Sequence, residues 1–192
     1  MGIGSKDNTF LEHLLFLTLT YTLFGGSYII YMTFFIPLLE QQGVSAFNVG
    51  FIWAAIGAAG ALSGWLWGKV LDRWPSGYPL AATLALGMLG ALSVLIHNMA
   101  GEALGAALFG LAALISPALM VTTLLKRAIA DDDYPLAYSV LTALFAAGQI
   151  AGPLGASFVV ARFGLTAGIA TSAVLFALAV LCACGYGATQ SR

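Results

Sequence analysis

Apolar positions run through this chain in six long blocks, and short polar breaks separate them. The blocks cover roughly His13–Leu39, Phe47–Val70, Tyr78–Ile96, Ala103–Leu125, Tyr134–Val160 and Leu165–Gly185. Crossing a bilayer as a helix takes about 20 mainly apolar residues. Barrel strands alternate in blocks of about 10. The run lengths therefore predict six transmembrane helices and no strands. The breaks are "EQQGVSA", "DRWPSG", "HNMAGE", "KRAIADDD" and "RFG", all too short for an inserted soluble domain. The first block is too long for the h-region of a cleavable signal and reads as a retained span.

Composition agrees. Of 192 residues, 60% are hydrophobic and 8% charged, and mean hydropathy is +0.95. A water-facing domain carries about 25% charged residues, so lipid must solvate most of this surface. The net charge of −1 leaves no basic stripe for nucleic acid. Cys182 and Cys184 sit in the last block as small apolar residues, and C-x-C without a second ligand pair is no metal site. There is no H-E-x-x-H, G-x-S-x-G or P-loop, and His13 and His97 lie near span ends without catalytic partners. No enzyme, cofactor or metal is implied.

Lysine and arginine in short loops set orientation. Lys6, Lys69, Arg73, Lys126, Arg127 and Arg192 fall on one side and Arg162 on the other. Both termini are expected in the cytoplasm. No acidic or basic residue lies in the middle of a span. Glu40 and Glu102 read as non-cytoplasmic rim residues, and Asp133 as a cap for the fifth helix.

Small residues recur at three- or four-residue spacing in two spans: Gly57, Gly60, Gly64 and Gly68 in the second, Gly148, Gly152 and Gly155 in the fifth. Such faces let helix backbones approach closely. Aligning "GWLWGKVLDRW" with "PLGASFVVARF" on Arg73 and Arg162 pairs Val70 with Val159 and Trp74 with Phe163. An echo three spans apart is what an inverted three-plus-three repeat produces. In the first span, Thr18, Tyr21, Gly25, Tyr28, Met32 and Phe35 share one face. These residues either line a cavity or glue helices together. Ser116-Pro117 interrupts the fourth span as either a cavity-side hinge or a simple kink. Gln149 is either a ligand contact or an interhelical hydrogen bond.

"GKVLDRWPSG" resembles the cytoplasmic-loop signature of the major facilitator superfamily, G-x-x-x-D-R-x-G followed by basic residues. "GQIAGPLGAS" is similar to that superfamily's G-x-x-x-G-P-x-x-G motif on the fifth helix of a six-helix half. "YTLFGGSYIIYMTFF", Tyr21–Phe35, resembles the opening helix of the second half in the YbfB/YjiJ-like bacterial branch. The loop match departs from the pattern: Pro75 stands where the closing glycine belongs, and the basic run is missing. The resemblance implies the C-terminal six-helix half of a secondary transporter in the bacterial inner membrane. Such a half needs a second one, or a homodimer partner, to carry a small solute. It also implies that Gly64, Gly68, Asp72 and Arg73 form a conformational latch. Gly148, Gly152, Pro153 and Gly155 would be a helix-packing motif. The first and fourth spans would line the cavity, with Tyr21, Gly25, Tyr28, Ser116 and Gln149 as substrate-side candidates, and the third and sixth would face lipid.

Overall fold

The computed structural model describes residues 3–96 and 98–190, with side chains from Leu11 onward except Val94. His97 and Arg192 lie outside the described residues, as does the side chain of Lys6. Seven α-helices and one 3₁₀ turn follow in order: α1 (Ile3–Gln41), α2 (Ala46–Arg73), α3 (Gly77–Leu92), the 3₁₀ turn Ser93–Ile96, α4 (Met99–Ala113), α5 (Ser116–Ala128), α6 (Tyr134–Phe163) and α7 (Leu165–Gln190). No strand occurs among the described residues.

Five stretches are long and apolar enough to cross a membrane, with α4 and α5 sharing one of them, Met99–Ala128. The sixth, α3, has 16 helical residues and gains its remaining length from the 3₁₀ turn. Most helices overrun the expected spans by a turn or so at one or both ends. Hydrogen-bonding in a helix does not stop where hydropathy falls, so polar caps and turns set the ends instead. Ser45 caps α2 by accepting from the Asn48 amide, Ser76 caps α3 through Tyr78, and Asn98 caps α4. Asp133 occupies the cap position of α6 but makes no side-chain cap bond there. That expectation fails: Pro135 stands in the first turn, where it removes one of the amides a cap would serve. Gly43 (φ 78°) and Gly164 (φ 85°) adopt the left-handed conformation that closes the turns after α1 and α6.

Connectivity places the α1–α2, α3–α4 and α6–α7 turns at one end of the bundle. Both chain ends and the α2–α3 and α5–α6 turns are at the other. At the core, α1 packs on α6 and α7, α4 packs on α2 and α3, and α3 packs on α7. One apolar cluster runs through the helices, from Leu17 and Phe24 through Leu84 and Phe109 to Phe176 and Tyr186. Burial is uneven. The spanning windows of α1 and α4–α5 are 50% and 56% buried, against 22% for α2 and 17% for α6. The barest helices are thus the second and fifth spans. The sixth, α7, is 39% buried, and α3 buries nine of its 16 residues. Within this unit the third and sixth spans, expected to face lipid, are more buried than the second and fifth.

Candidate functional site

Three places collect the polar and small residues that the sequence points to. The first is the crossing of α1 and α6. Glycine makes it close: a Cβ on Gly148 would strike the Thr22 carbonyl, and one on Gly152 would sit 2.7 Å from the Gly26 Cα. A Cβ on Gly25 would sit 2.6 Å from the Phe145 carbonyl oxygen. Phe145 therefore reaches across to stack on Tyr21, ring centroids 4.3 Å apart, and lies within 6.0 Å of Tyr28. Next to this stack, Gln149 Nε2 donates to the Tyr28 hydroxyl at 2.5 Å. Of the two readings of Gln149, this is the interhelical bond.

Tyr21 is buried under Phe145, whereas Tyr28 and Gln149 are half-buried. Two buried hydroxyls stitch the back of α1: Ser172 on α7 donates to the Ser27 carbonyl at 2.7 Å, and Ser27 donates to Phe24. Pro153 is half-buried inside α6, and Gly155 has open space where a Cβ would go. A shallow apolar groove of about 330 Å³ runs along this crossing between Thr22, Gly26, Gly148, Gly152 and Leu175.

The second place is the break in the fourth span. Helix α4 stops at Ala113 and α5 restarts at Ser116, with Pro117 in its first turn. A helix end leaves carbonyls without intrahelical partners, and one of them is satisfied from another helix: Trp67 Nε1 on α2 donates to the Leu111 carbonyl at 3.0 Å. The sequence held no signal for this role, because a tryptophan at a membrane edge reads as an interfacial anchor. Ser116 is fully buried and its hydroxyl has no partner. Thr122 and Thr123 donate back to carbonyls of their own helix.

The third is the α2–α3 turn. Asp72 and Arg73 are both exposed, and among the described residues neither is in an ion pair. The Arg73 guanidinium stands 5.8 Å from the Trp74 ring, and Lys69 Nζ 3.6 Å from the Trp65 ring. Gly64 and Gly68 have nothing within 4 Å of a Cβ position, nor does Gly57. Gly60 is different: its Cβ would meet Leu114 and Gly110 of α4. The glycine ladder of α2 therefore serves two faces, one packed and one bare.

Among the described residues no three His, Cys, Asp or Glu side chains converge as metal ligands.

Residues 5–185 match the model of a family described as "Uncharacterised MFS-type transporter YbfB". The chain belongs to this family. No match is found among curated proteins or solved structures. As a YbfB-type member of the major facilitator superfamily, the chain is a multi-pass membrane protein of a transporter family. The loop and fifth-span motifs that pointed there lie inside the matched region.

Proposed function

We propose that this YbfB-type chain is one half-bundle of a secondary transporter that moves a small organic solute across the bacterial inner membrane by alternating access, both termini in the cytoplasm. The observation that carries the reading is the bareness of α2 and α6. On α2, Gly50, Ala54, Gly57, Ala61, Gly64 and Gly68 follow one another at alternating four- and three-residue steps. All are exposed or half-exposed, and the glycines have open space beside them. That spacing is a seam for another helix. On α6, Leu136, Val140, Ile150, Leu154 and Phe158 are exposed along the helix, as is Gly155. A second six-helix body laid against α2 and α6 would enclose the α1 and α5 surfaces between them. We assign the half-buried Tyr28–Gln149 pair to the substrate side of that enclosure as the contact a solute would make or break, while Tyr21, Gly25 and Ser116, which are buried, take packing positions in the same helices.

Packing supports an internal three-plus-three repeat. Exchanging the first three spans with the last three turns the α1–α6 pairing into α4–α2, and α1–α7 into α4–α3. The glycine crossing of Gly26 with Gly148 and Gly152 has a counterpart in Gly110 with Gly60. Rocking of two such bodies about a midplane site is the alternating-access motion. Asp72 and Arg73, exposed at the α2–α3 turn, would then find their latch partners on the second half.

That second half is another polypeptide segment or a second copy of this chain. Reconstitution distinguishes them. Cysteines at Gly57 and Gly155 are cross-linked in vesicles holding this chain alone, and solute uptake is measured. Cross-linked dimers with uptake identify the homodimer. Monomers without uptake call for a separate half. A strictly monomeric chain that transports would overturn the half-bundle reading, and dimers that never transport would indicate a six-helix protein of another role.

A further inference from the structure

One stripe of α6 is aromatic. Tyr134, Tyr138, Phe145 and Gln149 follow one another at steps of four, seven and four, which keeps them on one side of a helix. Tyr134 and Tyr138 stack on each other at 5.8 Å, and the Phe145 ring lies 6.0 Å from Tyr28 of α1, parallel to within 3°. Tyr134, Phe145, Tyr28 and Gln149 are half-buried and Tyr138 is 40% exposed, so ring surface stays open along the stripe. It starts at the bundle end that carries the chain termini and reaches Gln149 half-way along α6.

Two oxygens on this side of α6 lack partners. Thr142 stands at the edge of the stripe, one turn beyond Tyr138, and its buried hydroxyl has no hydrogen-bond partner. A helical threonine can donate to the carbonyl one turn back, and Thr20, Thr22, Thr123 and Thr171 do so. Thr142 leaves that bond unmade. Gln149 spends its Nε2 on Tyr28, and its Oε1 accepts from no group among the described residues. The two oxygens are two helical turns apart in sequence, and Phe145 lies between them.

Nothing on the stripe is positive. Helix α6 has no lysine or arginine before Arg162, and α1 has none from Leu11 on. The face of an aromatic ring is electronegative and attracts cations; Lys69 Nζ, 3.6 Å from the Trp65 ring, uses one in this way. The exposed turn before Tyr134 sets Asp131, Asp132 and Asp133 against Lys126 and Arg127. A carboxylate or phosphate would find no counter-charge on this wall. Nitrogen donors would find ring faces and two free acceptors.

We propose that the solute this wall takes is an aromatic amine: a flat ring laid against Phe145 and Tyr28, with nitrogen donors, one of them protonated, reaching Gln149 Oε1 and Thr142 Oγ1. The assignment rests on the reading of the Tyr28–Gln149 pair as the solute contact and gives that solute a chemical class.

Saturation-transfer NMR on the purified chain in zwitterionic lipid nanodiscs tests it, with empty nanodiscs as the blank. The probes are tryptamine, indoleacetate, which keeps the ring and reverses the charge, and cyclohexylethylamine, which keeps the amine without an aromatic ring. Tryptamine should bind above the blank, and each of the other two more weakly by about tenfold. Thr142→Val removes an unsatisfied hydroxyl at nearly constant shape, so the chain should fold, and tryptamine binding should weaken by about fivefold. Gln149→Leu should weaken it at least as much; if that variant does not fold, Thr142→Val decides. The proposal is overturned if tryptamine does not bind, if indoleacetate or cyclohexylethylamine binds as well, or if neither substitution weakens binding. Tryptamine bound by a chain that transports nothing counts against the transport reading alone. Uptake of some other solute by a chain that ignores tryptamine counts against this assignment alone.

Discussion

Two alanine substitutions three residues apart on α6 separate close packing from open surface. In Gly152→Ala the new methyl would sit 2.7 Å from the Gly26 Cα and 2.8 Å from its carbonyl oxygen. Ordinary contact begins near 3.4 Å, so α1 and α6 must part by roughly 0.7 Å, and both obstacles are backbone that cannot swing aside. Overpacking of this kind costs about 1–3 kcal/mol. In Gly155→Ala nothing lies within 4 Å. Both changes gain the same helix propensity of about 1 kcal/mol, which cancels in the comparison. Gly152→Ala should therefore be less stable than Gly155→Ala by about 1–3 kcal/mol. Equilibrium unfolding of the two purified variants in mixed micelles, followed by tryptophan fluorescence, measures the difference. Equal stabilities, or a larger loss in Gly155→Ala, would refute the claim that α1 and α6 touch through glycine.

Tyr28→Phe and Gln149→Leu should each lower stability, and a double-mutant cycle should give a coupling of about 0.6 kcal/mol and no more than about 1.7, the average and the maximum for interhelical hydrogen bonds in membranes. Trp67→Phe keeps a smaller aromatic ring but removes the indole N–H and leaves the Leu111 carbonyl unserved. It should cost about 1–3 kcal/mol and speed hydrogen exchange of amides around the α4–α5 break more than elsewhere. Asp72→Asn, at an exposed site, should change unfolding stability by no more than about 0.5 kcal/mol yet alter uptake by the assembled transporter; unchanged uptake would remove the latch. Gly64→Leu, at a position with open space, should not lower the stability of the chain and should gain roughly 0.8 kcal/mol of helix propensity, while abolishing the cross-link between cysteines at Gly57 and Gly155. A cross-link that survives Gly64→Leu would mean that the α2 seam is lipid-facing.

Much of this protein follows from local chemistry alone. Twenty-residue apolar runs in a chain with 8% charge leave a helix as the only way to satisfy the backbone in lipid. The all-helical membrane class and the family motifs were therefore legible without coordinates, as was the break at Ser116-Pro117. Helix ends were less so, since caps such as Ser45 and Asn98 rather than hydropathy place them. What the tertiary structure decided is which side of each helix meets what. Sequence spacing put Gly57, Gly60, Gly64 and Gly68 in one ladder, but only the packed bundle turns Gly60 toward α4 and leaves the other three bare. Tyr21 and Tyr28 share a face, yet Phe145, 117 residues beyond Tyr28 in the chain, buries one of them and leaves the other half-open. Glu102 reads as a rim charge because it follows a polar turn. Its burial, to 2% exposure, comes from the helices packed around it. A helix's periodicity states that it has faces, and its neighbours assign them, because in a bilayer every face of these spans is apolar enough to pass for either a lipid surface or a protein contact.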